Sequence, residues 1–498
     1  MVAHTSGGRG VAGSNPVSPN FYMQFSLYDT KQKSLQAIDS ERQPTLKIYS
    51  CGPTVYNIAH IGNLRSYIFS DVLRRTLKLA GFTVEMAMNI TDVDDKTIKG
   101  AYEIALQKGQ EKASHGDLKN FTEKYSQLFF ADLDKIGIEK VEHYPRATDH
   151  IDEMVDLVQR LIDKGFAYTQ DGSIYMAIDK VKDYGVLSHI DLDSVKTGLR
   201  YNTDEYGKDD IRDFVLWKGE KENDISWQTS IGKGRPGWHL ECSAMIQSIF
   251  GECIDIHTGG IDLVFPHHEN ESAQSNCAYE HSFVKNWMHC EHLLVDNKKM
   301  SKSLNNFYTL EDIEKKGFKP VFLRYLLLSV HYKQKLNFTL ESLEQCEKTV
   351  TRIWNSFKKV NLAEDNLQLL SQNEKANFES LKITFLGQLC NNLNVSGALG
   401  TFHDFMSLAN QHCDKGISAI DKEYLIEQYN FFDQLINVLK FMPTELNATN
   451  SHADLLLTKR NQARKNKDFV TADKLRDDLL GLGFKIIDTK LSSVLEKA

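Results

Sequence analysis

Two short strings place hydrogen-bond donors and cations where a phosphate could be held. His60-Ile61-Gly62-Asn63 falls between an alternating run (Leu46, Ile48 and Ser50 against Lys47 and Tyr49) and a helical pattern from about Asn63 to Gly81. A helix N-terminus offers unpaired N–H groups and a partial positive charge, Gly62 lets a ligand approach the backbone, and His60 can donate to an oxygen. A lone histidine at such a place is more often a turn filler. Lys299-Met300-Ser301-Lys302-Ser303 follows the apolar run Leu293–Val295, and its two ammonium groups suit a clamp on phosphates. Alone, a lysine-rich loop is usually just solvated.

Two further strings carry metal-binding side chains. In Phe265-Pro266-His267-His268-Glu269-Asn270-Glu271, Pro266 fits a first helical turn, and His267 and Glu271 at i and i+4 would share a face, as two ligands of one metal do. A capped helix with a Glu–His pair is the plainer alternative. His268-Glu269 begins like a zinc-protease helix, but Ser272 stands where the second His is needed. Gly237-Trp238-His239-Leu240-Glu241-Cys242-Ser243-Ala244-Met245 contains one Cys among small and apolar residues, ordinarily a core position. Cys51 invites the same reading, and neither has C-x-x-C spacing, so no zinc site follows from spacing alone.

The elements that must position these groups are legible in part. The run Leu46–Ser50, the helix after Gly62 and the alternating Val84, Met86, Met88 and Ile90 make a βαβ unit, which implies a parallel sheet with ligands at the strands' carboxyl ends. Asp94 or Asp95 caps a helix over Lys96–Leu106. Helix and strand patterns return at Gly237–Phe250 and Ile254–Gly260, and beyond about residue 340 the pattern is helical. The expected division is an N-terminal extension (1–22), a first half of the sheet domain (23–146), a connective insertion of short mixed segments (147–232), a second half (233–290), a subdomain carrying the lysine loop (291–342), a helical bundle (343–446) and a C-terminal unit (447–498).

Composition bounds the rest. A chain of 498 residues holds more than one core, and 41% hydrophobic with 25% charged residues is ordinary for a globular protein. No stretch approaches the roughly 18 apolar residues of a membrane span. Eight cysteines are too sparse for a disulfide scaffold and suit a reducing cytoplasm. Residues 1–22 hold four Gly, two of the nine Pro and no acid, and read as a floppy extension. The net charge is −8, yet Lys459, Arg460, Arg464, Lys465, Lys467, Lys474 and Arg476 face only Asp468 and Asp473, a local excess suited to RNA. Phe469 would either pack in that unit's core, the more ordinary role, or stack on an unpaired base.

Taken together the strings resemble cysteinyl-tRNA synthetases, a family of class I aminoacyl-tRNA synthetases. The resemblance rests on Cys51-Gly52-Pro53-Thr54-Val55-Tyr56-Asn57 with His60–Asn63, on Asn89-Ile90-Thr91-Asp92-Val93-Asp94-Asp95-Lys96, on the Gly237 string, on Asp255-Ile256-His257-Thr258-Gly259-Gly260-Ile261-Asp262-Leu263, on the Phe265 string and on the lysine loop, in the family's order. It implies an α/β fold: a Rossmann-type parallel-sheet catalytic domain split by an insertion, then a helical bundle and a small anticodon-binding domain. It implies one Zn2+ on Cys51, Cys242, His267 and Glu271, Trp238 walling the amino-acid pocket with His257 nearby, and ATP with Mg2+ held by His60, Gly62, Asn63, Lys302 and, second to it, Lys299. The implied partners are L-cysteine and tRNA(Cys), with no membrane, acting as a cytoplasmic monomer. A zinc-bound thiolate would separate cysteine from serine by more than the about 1–3 kcal/mol that a metal-free pocket allows.

Two departures stand out. Asn63 replaces the histidine that usually closes the first signature, and the chain ends Thr489–Ala498 without the family's Trp-Arg-Arg-like close. Three other readings compete: a cysteine ligase acting on an aminosugar, which would lack a basic C-terminal unit; a non-catalytic RNA-binding relative, which would have lost His60, Lys302 or a zinc ligand; and a zinc hydrolase, whose spacing is broken.

Overall fold

A computed structural model describes residues 24–38, 45–190, 213–222, 224–251, 253–300, 306–363, 369–443, 451–488 and 493–497. Residues 1–22, Lys302 and Thr489–Ser492 therefore lie outside the described residues.

The core is a four-stranded parallel sheet. Numbering strands and helices in chain order, β1 (Phe25–Asp29) and β2 (Ser34–Ile38) form a hairpin, and β3 (Thr45–Ser50), α1 (Ile61–Leu79) and β4 (Thr83–Met88) form the βαβ unit expected from the alternation. Ile90 lies past the strand, in a bridge to Arg146. Helices α2 (Asp95–Gln107, capped by Asp94), α3 (His115–Ile136) and α4 (Ile151–Asp163) follow. The region read as short mixed segments is an antiparallel sheet of five strands in the order β5-β6-β7-β9-β8: β5 (Ala167–Gln170), β6 (Ser173–Met176), β7 (Phe214–Gly219), β8 (Trp227–Thr229) and β9 (Gly232–Pro236).

The chain returns to the parallel sheet through α5 (Trp238–Phe250), β10 (Ile254–Gly260), α6 (Glu269–Tyr279) and β11 (Val284–Cys290). Strand order is β11-β10-β3-β4, so the chain winds outward from β3 one way and from β10 the other. The crevice where those directions part, at the carboxyl ends of β3 and β10, is where open parallel sheets bind ligands. Cys51 follows the first of these strands directly, and His267 and Glu271 follow the second.

Beyond the sheet come β12 (Leu293–Val295), β13 (Lys298–Lys299), α7 (Leu310–Lys315), α8 (Pro320–Ser329) and β14 (Leu336–Phe338), then the helices α9 (Leu340–Leu362), α10 (Gln372–Cys390), α11 (Val395–Cys413) and α12 (Ala419–Ile436). The largest buried cluster joins α1 to α8 and these helices through Ile68, Val72, Leu323, Trp354, Phe402 and Phe432. The last unit is α13 (Ser451–Lys465), α14 (Phe469–Gly481) and the hairpin β15 (Phe484–Asp488) with β16 (Ser493–Lys497).

Helix α5 shows how the core aims the site. Leu240 and Ala244, one turn apart, face the cluster that includes α4 and the five-stranded sheet. Cys242, Met245 and Ile246 lie on the other face, packed with Tyr49, Cys51 and Trp287 of the parallel sheet. Gly52 is required because a Cβ there would stand 1.8 Å from the Asn89 carbonyl oxygen, where the tails of β3 and β4 meet.

Candidate active site and metal centre

Ligand atoms of Cys51, Cys242, His267 and Glu271 lie within 4.8 Å of one another, and all four residues are buried. Cys242 Sγ is 3.6 Å from His267 Nε2, and that nitrogen is 2.9 Å from Glu271 Oε1. Glu271 Oε1 is nevertheless buried without a hydrogen bond, so a carboxylate oxygen and a ring nitrogen converge on one place where a cation would satisfy both. Soft thiols with an imidazole and a carboxylate are a donor set suited to zinc.

Two of the donors are held from behind. Glu271 Oε2 is 2.9 Å from His257 Nε2, and the His257 ring stacks on Trp287. His267 Nδ1 is 2.9 Å from His239 Nδ1, and Trp238, still 38% exposed, stacks on the His267 ring at 4.2 Å. Burial favours neutral Glu271, yet His267 and His257 hold it down to about 2. Burial likewise opposes charge on His267, but Glu271 raises it to about 10. Cys51 and burial push the Cys242 thiol up. Glu271 is thus anionic and paired with a protonated His267, whose proton a metal ion would have to displace.

A second grouping shares two of these residues: Cys51, His257, His268 and Glu271. His268 Nε2 lies 3.2 Å from Cys51 Sγ and its Nδ1 2.7 Å from His289 Nε2. Burial and the imidazoles of His257 and His289 hold His268 well below its ordinary value, so it is neutral. Sequence reasoning missed His268, His289 and His239 as part of this cluster. On a regular helix, neighbours such as His267 and His268 point well apart. Here Val264–His268 is an irregular turn with Phe265 extended, and the regular helix starts only at Glu269. Pro266 therefore sits in that turn and not in the first turn of α6, correcting the expectation from its position.

The second half of the site is the start of α1. His60 is its N-cap: His60 Nδ1 accepts from the Asn63 N–H at 3.1 Å, and Asn63 Oδ1 accepts from the His60 N–H at 3.1 Å. With Nδ1 accepting, the proton of neutral His60 sits on Nε2. Burial pushes the His60 imidazole below its usual value, which keeps it neutral. Asn63 was expected to reach a nucleotide; in this structure its side chain closes the capping box. A Cβ on Gly62 would lie 3.1 Å from Met300 Cε, and the Ile61 N–H donates to Tyr308 O at 2.9 Å, so the segments flanking 301–305 cross the start of α1. Lys299 is exposed on β13.

The C-terminal unit departs from expectation at two residues. Arg460 is buried and donates to Asn461 Oδ1 and Ser493 Oγ, leaving six of the seven basic side chains exposed. Phe469 is 59% exposed, not a core residue.

Residues 37–348 match the family model described as the class I (C) tRNA synthetase catalytic domain. The fold is similar to that of Mycobacterium tuberculosis methionyl-tRNA synthetase in complex with methionyl-adenylate, with TM-score 0.56 at 12% identity over 86% of this chain and 96% of that one. Fold and domain match together define a class I aminoacyl-tRNA synthetase. A cysteine–tRNA ligase of Leptospira interrogans serovar Lai is 47% identical over 457 residues, 89% of this chain and 93% of the relative. One from Protochlamydia amoebophila is 42% identical over 486 residues, 95% and 97% of the two chains. The chain belongs to the cysteine–tRNA ligase family. No helix among the described residues is long and apolar enough to cross a membrane.

Proposed function

We propose that the protein attaches L-cysteine to tRNA(Cys) through a cysteinyl adenylate, choosing cysteine by its thiol at a zinc ion held by Cys51, Cys242, His267 and Glu271. The observation that carries this reading is the convergence of those four buried donors within 4.8 Å. A zinc ion there would take a bound thiol as thiolate, whereas a serine hydroxyl would remain a poor ligand. Trp238 walls the pocket beside His267, and His257 fixes the Glu271 carboxylate.

In the first step the cysteine carboxylate attacks the α-phosphorus of Mg-ATP. A carboxylate–phosphorus bond forms, the α–β bridge breaks and pyrophosphate leaves with the electron pair. No general base is needed, because the nucleophile is already anionic. His60 donates its Nε2 proton as a hydrogen bond to phosphate, the N–H groups of α1 beside Gly62 add theirs, and Lys302 with Lys299 supplies positive charge. In the second step the 2′-hydroxyl of the tRNA's terminal adenosine attacks the carbonyl carbon, and AMP departs with the bond's electron pair, its phosphate taking up the hydroxyl proton. The exposed basic residues of α13 and α14, with Phe469, suit the far end of the tRNA. The protein acts in the cytoplasm as a monomer.

Cys242→Ser tests the ligand assignment: bound zinc and the preference for cysteine over serine should fall together. Normal zinc content with normal selectivity in that variant rejects it. The 3.2 Å contact of Cys51 with His268 supports a second arrangement, in which His268→Ala rather than His267→Ala empties the site. Lys302→Ala should slow cysteine-dependent pyrophosphate exchange while zinc stays bound, and an unchanged rate removes that residue from the clamp.

A further inference from the structure

Cys242 has a polar neighbour on each side in the chain, and both are fully buried. Glu241 is 0% and Ser243 1% exposed, on a helix whose other buried residues are largely apolar. Successive side chains of an α-helix lie about 100° apart, so the two reach out on opposite sides of the thiol. Each of them meets a segment that carries another donor.

Glu241 reaches toward the loop of Cys51. Its Oε2 accepts from Thr91 Oγ1 at 2.8 Å, Thr91 Oγ1 accepts from Asn89 Nδ2 at 3.1 Å, and Asn89 Oδ1 accepts from the Gly52 N–H at 2.8 Å. The Thr91 backbone grips the same loop: its N–H donates to Pro53 O at 3.0 Å, and its carbonyl accepts from the Val55 N–H at 3.1 Å. Ser243 reaches α6, which carries Glu271. Ser243 Oγ donates to the Glu271 carbonyl at 3.4 Å and accepts from Gln274 Nε2 at 3.0 Å. The same Gln274 amide donates to His239 O at 2.7 Å, so one side chain of α6 holds α5 on both sides of Cys242.

Apolar packing is non-directional, whereas hydrogen bonds fix distance and angle. A metal demands such precision, since its donors must converge to within about 0.2 Å. The bridges also come at a cost. Glu241 Oε1 and Gln274 Oε1 are buried without a hydrogen bond, which disfavours folding, and departures of this kind concentrate at functional sites. None of the three residues belongs to the grouped donors themselves. We propose that Glu241, Ser243 and Gln274 are positioning residues that hold the Cys51 loop, α5 and α6 in register, so that their donors meet on one metal ion; this rests on the metal-binding reading above.

The test uses the full chain with zinc as the probe. Gln274→Met keeps the length of the side chain and removes its donors. It should weaken zinc binding about 10- to 100-fold in chelator competition. In the Co2+-loaded protein it should also shift the visible absorption bands, which report donor geometry. Glu241→Leu should do the same, whereas Glu241→Gln, whose carbonyl can still accept from Thr91, should bind zinc as wild type does. A merely structural role would lower the unfolding midpoint and leave the affinity and the cobalt bands where they were. That result in Gln274→Met would overturn the proposal. Should Gln274→Met fail to fold, Ser243→Ala decides on the same two readouts, with a smaller loss of the same sign expected. A wild type that binds no zinc would overturn both this proposal and the reading it rests on. If wild type binds zinc yet exchanges pyrophosphate no faster with cysteine than with serine, cysteine selection falls, and the zinc and cobalt readouts still decide the positioning role.

Discussion

The donor cluster and the C-terminal unit are built in contrasting ways. Cys51, Cys242, His267 and Glu271 are each less than a tenth exposed, and imidazoles of His239, His257, His268 and His289 stand behind or beside them. The C-terminal unit buries only Ala453, Ala463, Ala472, Leu479 and Ile486 among its described apolar residues, and leaves Phe469 and six basic side chains at its surface. A site that must tell one small thiol from a hydroxyl needs dry, fixed donors. A unit that meets a polyanion needs charge in water and a ring free to stack. The difference teaches that, on the proposed function, small-molecule selection would rest on over-determined packing and RNA contact on exposed side chains, so the two regions should respond differently to substitution.

The largest effect should come from the buried frame that carries α1. Arg324 is wholly buried, donates to Asp71 Oδ2 at 2.8 Å and to carbonyls of Leu435, Ile436 and Gly137, and so ties α1 to the helical bundle. Arg324→Ala leaves the Asp71 carboxylate short of a partner and should cost about 3–5 kcal/mol in denaturant unfolding. Burial favours neutral Asp71, but Arg324 and Arg75 hold its carboxyl below the usual value. Its folded pKa is thus lower than its unfolded one. The stabilisation is therefore full above about pH 4 and is lost as pH falls through the folded pKa. A wild-type melting profile that declines toward acid more steeply than that of Asp71→Asn checks the sign.

Next in size is the shell behind the donors. His239→Ala frees the His267 ring and should weaken zinc binding by about 10- to 100-fold in chelator competition. Unaltered affinity would mean that the shell does not position the donor. In the C-terminal unit, Phe469→Ala should change stability by no more than about 0.5 kcal/mol, because the ring is exposed, while weakening tRNA binding by about 1–3 kcal/mol. The smallest effect is expected for Lys474→Ala: a nearly uniform loss of tRNA affinity and a salt slope shallower by about 1, with pyrophosphate exchange unaffected. A drop in exchange from either C-terminal variant would erase the contrast between the two regions.

How much of this was legible in the sequence follows from the period of each pattern. The alternation at Leu46–Ser50 and Val84–Met88 and the helical stripe between them gave the β3-α1-β4 unit within a few residues of its observed bounds. The strands of the five-stranded sheet were not seen, because runs of three to six residues such as Trp227–Thr229 are too short to show a period. Spacing paired His267 with Glu271, but Cys51 and Cys242 joined them only by resemblance, since residues so far apart in sequence meet through the sheet's winding. His268 and His289 were missed because one sits in an irregular turn and the other on a strand with no local signal. Arg460 and Phe469 show the opposite limit: charge and hydrophobicity are readable, but which side chain a small unit buries depends on how its two helices pack.

The most direct test of the central claim is transfer of labelled cysteine to bulk tRNA by the full chain with ATP and magnesium, run beside labelled serine. The account predicts that cysteine is transferred and serine is not, and that removing zinc with a chelator abolishes the transfer. Equal transfer of serine, or undiminished cysteine transfer from the zinc-free protein, would contradict it.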